Sequence, residues 1–282
     1  MSTLTQVLHT SVPGRWLSAI DRLPAVAWVG LQAAALWPHW RWAAARLGDG
    51  SDDPLGVAAL AVLALATWQL APRFRSAPSR AWLAAAIGGT VLATLAIGVL
   101  PPLLAAMLAV LALIAGFCAF APAGTAMLPL GGLMLLTLPT IASLQFYAGF
   151  PLRVITAQCS TWILQAFGVA AERSGTAMWV GGRLVIVDAP CSGVQMVWMA
   201  WFCACSVAWF RGIGDRAFAA RAVFVGAIVL AGNIVRNSVL ETLEARPSGL
   251  ASGVHECIGL VALALVCLAV AVVIGGGSHA DR

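Results

Sequence analysis

The sequence predicts an all-α polytopic membrane protein, with about eight transmembrane helices and a small outward-facing cap made of an interfacial helix and a short β-hairpin. Composition is the first reason: 61% of the 282 residues are hydrophobic and 10% are charged, whereas soluble domains are about 45–50% apolar and about 25% charged. The second is the recurrence of apolar runs near the roughly 17 to 25 residues that a spanning helix needs. The third is one sizeable stretch, 147–191, that lies outside those runs.

Eight apolar segments make residues 1–282 a single integral membrane domain. The predicted spans are about 23–37, 55–71, 81–100, 103–122, 126–146, 192–210, 222–243 and 254–275. The first two are short, and Pro101-Pro102 joins the third and fourth as a tight hairpin or a kink. No small-residue cleavage site follows the charged start, so the first run is expected to be a retained membrane helix rather than a removable signal peptide.

Arginine placement predicts the orientation. All 16 basic residues are Arg, and the stretches 72–80 and 211–221 each hold three of them, which places both in the cytoplasm by the positive-inside rule. The stretches 38–54 and 147–191 then face outward. Because the charge is spread through short loops, it indicates topology, and no nucleic-acid partner is expected.

The outward stretch 147–191 is predicted to form the cap. Its first part, "LRVITAQCSTWILQAFG", places apolar residues in a roughly helical pattern that suits an interfacial helix. Its second part, "TAMWVGGRLVIVDA", has two β-rich runs around Gly181-Gly182, which predicts a hairpin. The hairpin leads directly to Cys191 in "VDAPCSGVQMVW".

Polar residues inside the seventh span mark a candidate site, because a charged group there costs about 2.5–3.5 kcal/mol to insert. Arg236 shares one helical face with Asn233 and Asn237, which are expected to support the site. At about 1.5 Å per residue, Arg236 lies about 21 Å from the inner end of its helix, near the outer leaflet. Cys191 opens the sixth span from outside and His255 opens the eighth, so topology brings Cys191, Arg236 and His255 into one layer.

These three residues suit thiol acyl transfer. A helix N-terminus or a cationic neighbour favours the nucleophilic thiolate of a cysteine. His255 can accept the thiol proton and return it to a leaving amine. Arg236 stays protonated, so it can stabilise an oxyanion or bind a substrate carbonyl. The backbone N–H groups of Ser192 and Gly193 can complete an oxyanion hole, since the first turn of a helix has unpaired donors.

Other catalytic chemistries fit the sequence less well. "HEC" at 255–257 lacks the i, i+4 pairing of a zinc protease, and "CAC" at 203–205 lacks the spacing of a redox C-x-x-C pair. No P-loop or G-x-S-x-G elbow occurs. No metal ion and no cofactor is therefore expected. Taken alone, however, a membrane cysteine such as Cys191 is more often a packing residue than a nucleophile.

At these residues the chain resembles the exosortase and archaeosortase family of membrane transpeptidases, whose members share a Cys in a C-S-G context, an Arg within N-x-x-R and a His that opens the last helix. Here those elements read "APCSGVQMVW", "GNIVRNSVL" and "GVHECIGL". The resemblance is strongest over about 147–275, the expected catalytic core. It implies that Cys191 is the nucleophile, Arg236 an electrostatic clamp and His255 the acid-base partner.

The resemblance also implies partners and a location. The substrates would be secreted proteins with a C-terminal tripartite signal of the PEP-CTERM type: a motif such as Pro-Glu-Pro, a hydrophobic helix and a basic tail. The enzyme would cut near the motif through a thioester on Cys191 and transfer the new carboxyl end to a surface acceptor nucleophile. The expected setting is a bacterial cytoplasmic membrane, with the site facing outward and open laterally to membrane lipid.

Two alternatives remain open on the residues alone. In the first, the protein is a transporter or membrane scaffold in which Asn233, Arg236 and Asn237 line an anion path and Cys191 is structural. In the second, the same catalytic trio uses water as acceptor, which makes the protein an intramembrane cysteine hydrolase. Replacement of Cys191 by Ala separates the first alternative from the transpeptidase, and analysis of the product separates the second.

Overall fold

A computed structural model of the protein describes residues 23–50, 52–186, 189–245 and 251–276. Ten α-helices lie within these ranges. They are α1 (Ala25–Ala35), α2 (Trp37–Gly48), α3 (Gly56–Leu70), α4 (Arg80–Leu95), α5 (Pro102–Phe120), α6 (Met127–Leu136), α7 (Ile141–Ala166), α8 (Val194–Phe210), α9 (Asp215–Glu244) and α10 (Ser252–Gly275). Helix is the expected state of such apolar runs, because a backbone in lipid must satisfy its own hydrogen bonds.

Four of the described helices are long and apolar enough to cross a membrane. They are α3 together with the turn that follows it (Gly56–Arg73), α5, α9 and α10. The pair α6 and α7 makes a fifth if it is counted as one span bent by 95°. Three shorter apolar helices, α1, α4 and α8, coincide with three other predicted segments. The chain is thus a multi-pass helical membrane protein, and the predicted total of eight spans is not confirmed.

The fifth predicted span, 126–146, is broken in the structure. α6 ends at Leu136, the chain turns through Pro139, and α7 begins at Ile141. Proline donates no backbone N–H and disfavours the helical conformation in the residue before it, whereas a hydropathy window averages over it. α7 then continues to Ala166, so the predicted interfacial helix is the second part of one 26-residue helix.

A three-stranded antiparallel sheet follows α7. Its strands are β1 (Ala171–Ser174), β2 (Ala177–Val180) and β3 (Arg183–Ile186), in the order β1-β2-β3. The predicted hairpin is confirmed, since β2 pairs with β3 and Val180 lies opposite Arg183. Gly181 and Gly182 have φ angles of 55° and 81°, the left-handed values that a tight hairpin turn requires. The sequence did not predict β1, of whose residues only Ala171 is buried.

The core of the C-terminal half lies between α8, α9 and α10. Buried side chains from the three helices meet there: Met196, Ala200, Ala204, Val225, Val229, Val266 and Val270. Gly232 of α9 allows α10 to approach closely, because a side chain at this position would overlap Val266. This packing fixes the relative positions of the helices that carry the predicted site residues.

Candidate active site

Cys191 lies where the cap joins the membrane domain. It belongs to a single helical turn, Ala189–Ser192, which follows β3 and precedes α8. Gly193 then takes a φ of 83°, a left-handed conformation that favours glycine. A Cβ at Gly193 would lie 2.9 Å from Cγ of Asn233. The Cys-Ser-Gly sequence therefore needs its glycine both for backbone conformation and for space.

The backbone carbonyl of Cys191 is held by two side-chain amides from α9. Nδ2 of Asn233 and Nδ2 of Asn237 each donate a hydrogen bond to it over 3.2 Å. Both asparagines are buried, and Asn237 also donates to the carbonyl of Asn233 at 2.8 Å. The two residues predicted to support the site thus join α9 to the main chain of Cys191.

Hydrogen bonds from α7 and from the segment before α3 fix the start of α8. Oγ of Ser192 donates to Oε1 of Gln145 at 2.8 Å and accepts from the backbone N–H of Val194 at 3.3 Å. Nε2 of Gln195 donates to Oδ2 of Asp53 at 2.8 Å. Sequence reasoning missed Gln145 and Asp53, although a polar residue inside one predicted span and a charged residue before another were signals available for both.

The thiol of Cys191 lies beneath the sheet of the cap. The residue is 7% exposed, and it belongs to a buried cluster with Ala157 and Leu164 of α7 and with Met178 and Val180 of β2. All seven cysteines of the chain lie in the described residues, and none of them forms a disulfide. The sulfur is therefore a reduced thiol at the boundary between the cap and α7.

Arg236 and His255 line one cleft of about 440 Å³. The cleft is also lined by Gly193 and Gln195 from the start of α8 and by Gly259 of α10. Two of the three predicted catalytic residues thus line the same cleft, on the consecutive helices α9 and α10. Cys191 is not among the described residues that line the cleft. The nearest lining residue along the chain is Gly193, two positions after it.

The guanidinium of Arg236 has a buried donor without a partner among the described residues. This donor is its Nε, and a Cβ at Gly259 would lie 3.4 Å from its Nη2. Arg236 also lines an apolar groove of about 550 Å³ between α9 and α10. An arginine with unused donors in a cleft can bind a carbonyl oxygen or a developing oxyanion.

His255 is paired with a carboxylate. Its Nδ1 lies 3.2 Å from Oε1 of Glu244, and the two side chains are 34% and 35% exposed, so the pair is partly solvated. Sequence reasoning missed Glu244, which ends α9 eleven residues before His255. No local pattern reports this pairing, because it depends on how α9 and α10 come together.

The site offers little to a metal ion. The described residues contain no group of three or more His, Cys, Asp or Glu side chains that could hold one. The pair of His255 and Glu244 supplies two ligand types, whereas a zinc site uses three or four protein ligands.

Fold and site together define a class: a multi-pass helical membrane protein in which a cysteine precedes one apolar helix, and an arginine and a histidine from two others line the adjacent cleft. The sequence matches the model of the transmembrane exosortase family over residues 23–272. The chain belongs to this family, which confirms the resemblance found in its motifs. Neither the curated proteins nor the solved structures give a match.

Proposed function

We propose that this protein is a membrane cysteine transpeptidase, which cleaves the C-terminal sorting signals of secreted proteins and transfers the new carboxyl end to a surface acceptor. Membership of the exosortase family supports signal processing as the general role. The observation that carries the proposal is the cleft shared by Arg236 and His255 beside Gly193. The main chain of Cys191 is bound to α9, the helix that supplies Arg236.

In the first half-reaction, the sulfur of Cys191 attacks the scissile carbonyl carbon and the thiol proton passes to His255. Arg236 stabilises the negative oxygen of the tetrahedral intermediate, because its guanidinium remains protonated. The intermediate collapses by breaking the C–N bond. The departing amine takes the proton from His255, and the substrate remains on Cys191 as a thioester.

In the second half-reaction, an acceptor nucleophile gives its proton to His255 and attacks the thioester carbonyl. The C–S bond breaks, and the thiolate of Cys191 recovers a proton from His255. The thiol and the neutral imidazole are restored, and the substrate is joined to the acceptor. Water in place of the acceptor gives simple hydrolysis by the same steps, so only the product separates the two outcomes.

The position of Arg236 supports lateral entry of a membrane-anchored substrate. The same arginine lines the catalytic cleft and the apolar groove between α9 and α10. A substrate held in the bilayer by its own hydrophobic helix can then present its motif without leaving the membrane. We place the enzyme in a bacterial cytoplasmic membrane with the cleft facing outward, because the arginine-rich stretches 72–80 and 211–221 favour the cytoplasmic side.

The test is co-expression with a secreted protein that carries a Pro-Glu-Pro type C-terminal signal, followed by gel electrophoresis and mass spectrometry of the new C-terminus. The wild type is compared with Cys191→Ala and with Cys118→Ala, a thiol on α5 away from the cleft. We expect processing in the wild type and in the Cys118 variant, and none in the Cys191 variant. Equal processing in all three rejects a thiol mechanism and favours a transport or scaffold role.

A further inference from the structure

The contact between Glu244 and His255 joins the last turn of one long helix to the first turn of the next. Glu244 ends α9, and His255 lies in the fourth position of α10. Oε1 of Glu244 is 3.2 Å from Nδ1 of His255, and His255 is also one of the residues that line the cleft beside Gly193. One ring nitrogen is thus engaged by a carboxylate at the edge of the site.

A carboxylate beside one ring nitrogen decides which tautomer a neutral histidine adopts. An ionised carboxylate only accepts hydrogen bonds, so the proton of the neutral ring is held on Nδ1. Nε2 is then the nitrogen with the lone pair, and it can accept a proton. The other charged groups that line the cleft are Arg236 and Glu256, and the structure gives neither a hydrogen bond to the His255 ring.

We propose that Glu244 is a positioning residue that holds His255 as its Nδ1–H tautomer, so that Nε2 is the proton acceptor of the site. This inference rests on the proposed function, for which it supplies the missing orienting group. When Nε2 takes the thiol proton of Cys191, the ring becomes an imidazolium whose positive charge faces the carboxylate of Glu244. The proton later leaves from Nε2 to the departing amine, and Glu244 neither gives nor takes a proton in these steps.

A kinetic experiment on the purified full-length chain tests the role of the carboxylate. Cleavage of a peptide carrying the sorting motif is followed against pH for the wild type, Glu244→Ala, Glu244→Gln and Glu244→Asp. Glu172→Gln, an exposed carboxylate on β1, is the matched control. General acid-base catalysis contributes about 10²- to 10⁴-fold, so we expect Glu244→Ala to lower kcat by about 10- to 1000-fold with little change in KM. Glu244→Asp should recover part of the rate, because it restores the charge.

A second measurement needs no activity. The chain has four histidines, and nitrogen-15 labelling of their rings, assigned with His255→Gln, reports the tautomer of His255 directly. The inference predicts a protonated Nδ1 in the wild type and in Glu172→Gln, and a shift toward protonated Nε2 in Glu244→Ala. An Nδ1 without a proton in the neutral wild type, or a wild-type kcat in Glu244→Ala, overturns it.

The two experiments separate this inference from the proposed function. If Cys191→Ala still cleaves the peptide, the thiol mechanism fails, and the ring tautomer alone then decides whether Glu244 orients His255. If Cys191→Ala is inactive while Glu244→Ala keeps the wild-type kcat and pH profile, the proposed function stands and Glu244 has no positioning role.

Discussion

Nδ2 of Asn237 donates a hydrogen bond to the backbone carbonyl of Cys191 over 3.2 Å. Asn237 lies on the same helix as Arg236, one position further along. Movement of the Cys191 segment away from α9 must break this bond, so the bond couples the main chain of Cys191 to the helix that supplies the cation. The asparagines bind the main chain of Cys191. The residue also packs with the buried cluster between α7 and the sheet.

Removing the hydrogen bond from Asn237 to Cys191 should slow signal cleavage strongly and lower the unfolding free energy only slightly. Asn237→Ala takes one of two donors from a buried carbonyl, which costs about 1 kcal/mol. Small displacements of a reacting group can cost about 10²-fold in rate, so we expect processing to fall about 10- to 100-fold. The rate of signal cleavage and the thermal unfolding midpoint in detergent, measured on the same preparations, check both parts.

Val223→Ala is the matched control for that prediction, since Val223 lies on the same helix and is exposed. It should leave the cleavage rate within about twofold, because surface truncations usually change stability by less than about 0.5 kcal/mol. A cleavage rate in Asn237→Ala equal to that of Val223→Ala would show that the carbonyl contact has no part in placing Cys191.

A methyl group at Gly193 should disrupt the same contact from the other side. Gly193→Ala places a Cβ 2.9 Å from Cγ of Asn233 and does so at a φ of 83°, where a side chain costs about 1–2 kcal/mol. The matched control is Gly182→Ala, with a φ of 81° and no atom within 4 Å of the added Cβ. Both variants should lose the stability that the left-handed backbone costs, Gly193→Ala should lose more because its Cβ also meets Asn233, and only Gly193→Ala should lose signal cleavage. Equal cleavage by the two variants would contradict this account.

Much of the helical architecture follows from the sequence, because apolar runs of near-spanning length have few other states in lipid. Each of the eight predicted segments coincides with at least one apolar helix. The number of crossings does not follow, since it depends on how short helices such as α1 and α4 sit against their neighbours. The break at Pro139 is a local backbone effect, and hydropathy averages it away.

The candidate site residues come from the sequence, whereas their contacts come from the structure. Spacing placed Asn233, Arg236 and Asn237 on one face of a helix, but that face spans about 100° of helix surface at 3.6 residues per turn. In the structure the three residues of this face have different neighbours. The two asparagines bind the backbone carbonyl of Cys191, and Arg236 lines the cleft with His255. This difference depends on which helix packs on which side, and a single sequence does not encode that in any local pattern.

A large side chain at Gly259 should displace Arg236 and reduce activity, whereas a methyl group there should not. Gly259→Ala adds a Cβ at 3.4 Å from Nη2 of Arg236, an ordinary contact, and alanine favours the helix by about 0.5–1 kcal/mol. Gly259→Leu extends further and must displace the guanidinium. We expect Gly259→Ala to cleave the signal at close to the wild-type rate and Gly259→Leu to resemble Arg236→Gln. Normal cleavage by Gly259→Leu would argue against Arg236 as the oxyanion group.

Glu241 is a buried carboxyl one helical turn beyond Asn237. It is 3% exposed, and Ser160 is its polar neighbour, but neither carboxyl oxygen has a hydrogen-bond partner of good geometry among the described residues. An unsatisfied buried polar group destabilises a fold by about 1–3 kcal/mol, and an apolar group of the same shape can replace it without loss. Such groups are rare in native proteins, and a catalytic role or a bound water or ion accounts for many of them.

Glu241→Met should therefore raise the thermal unfolding midpoint of the protein in detergent, by an amount equivalent to about 1–3 kcal/mol, since methionine fills a similar volume and adapts to irregular space. Glu172→Met on the exposed face of β1 controls for the loss of one acidic residue and should leave the midpoint nearly unchanged. If Glu241 is retained for the reaction, the stabilised variant also cleaves the sorting signal more slowly. A lower midpoint in Glu241→Met would mean that the carboxyl is satisfied by a partner such as a buried water.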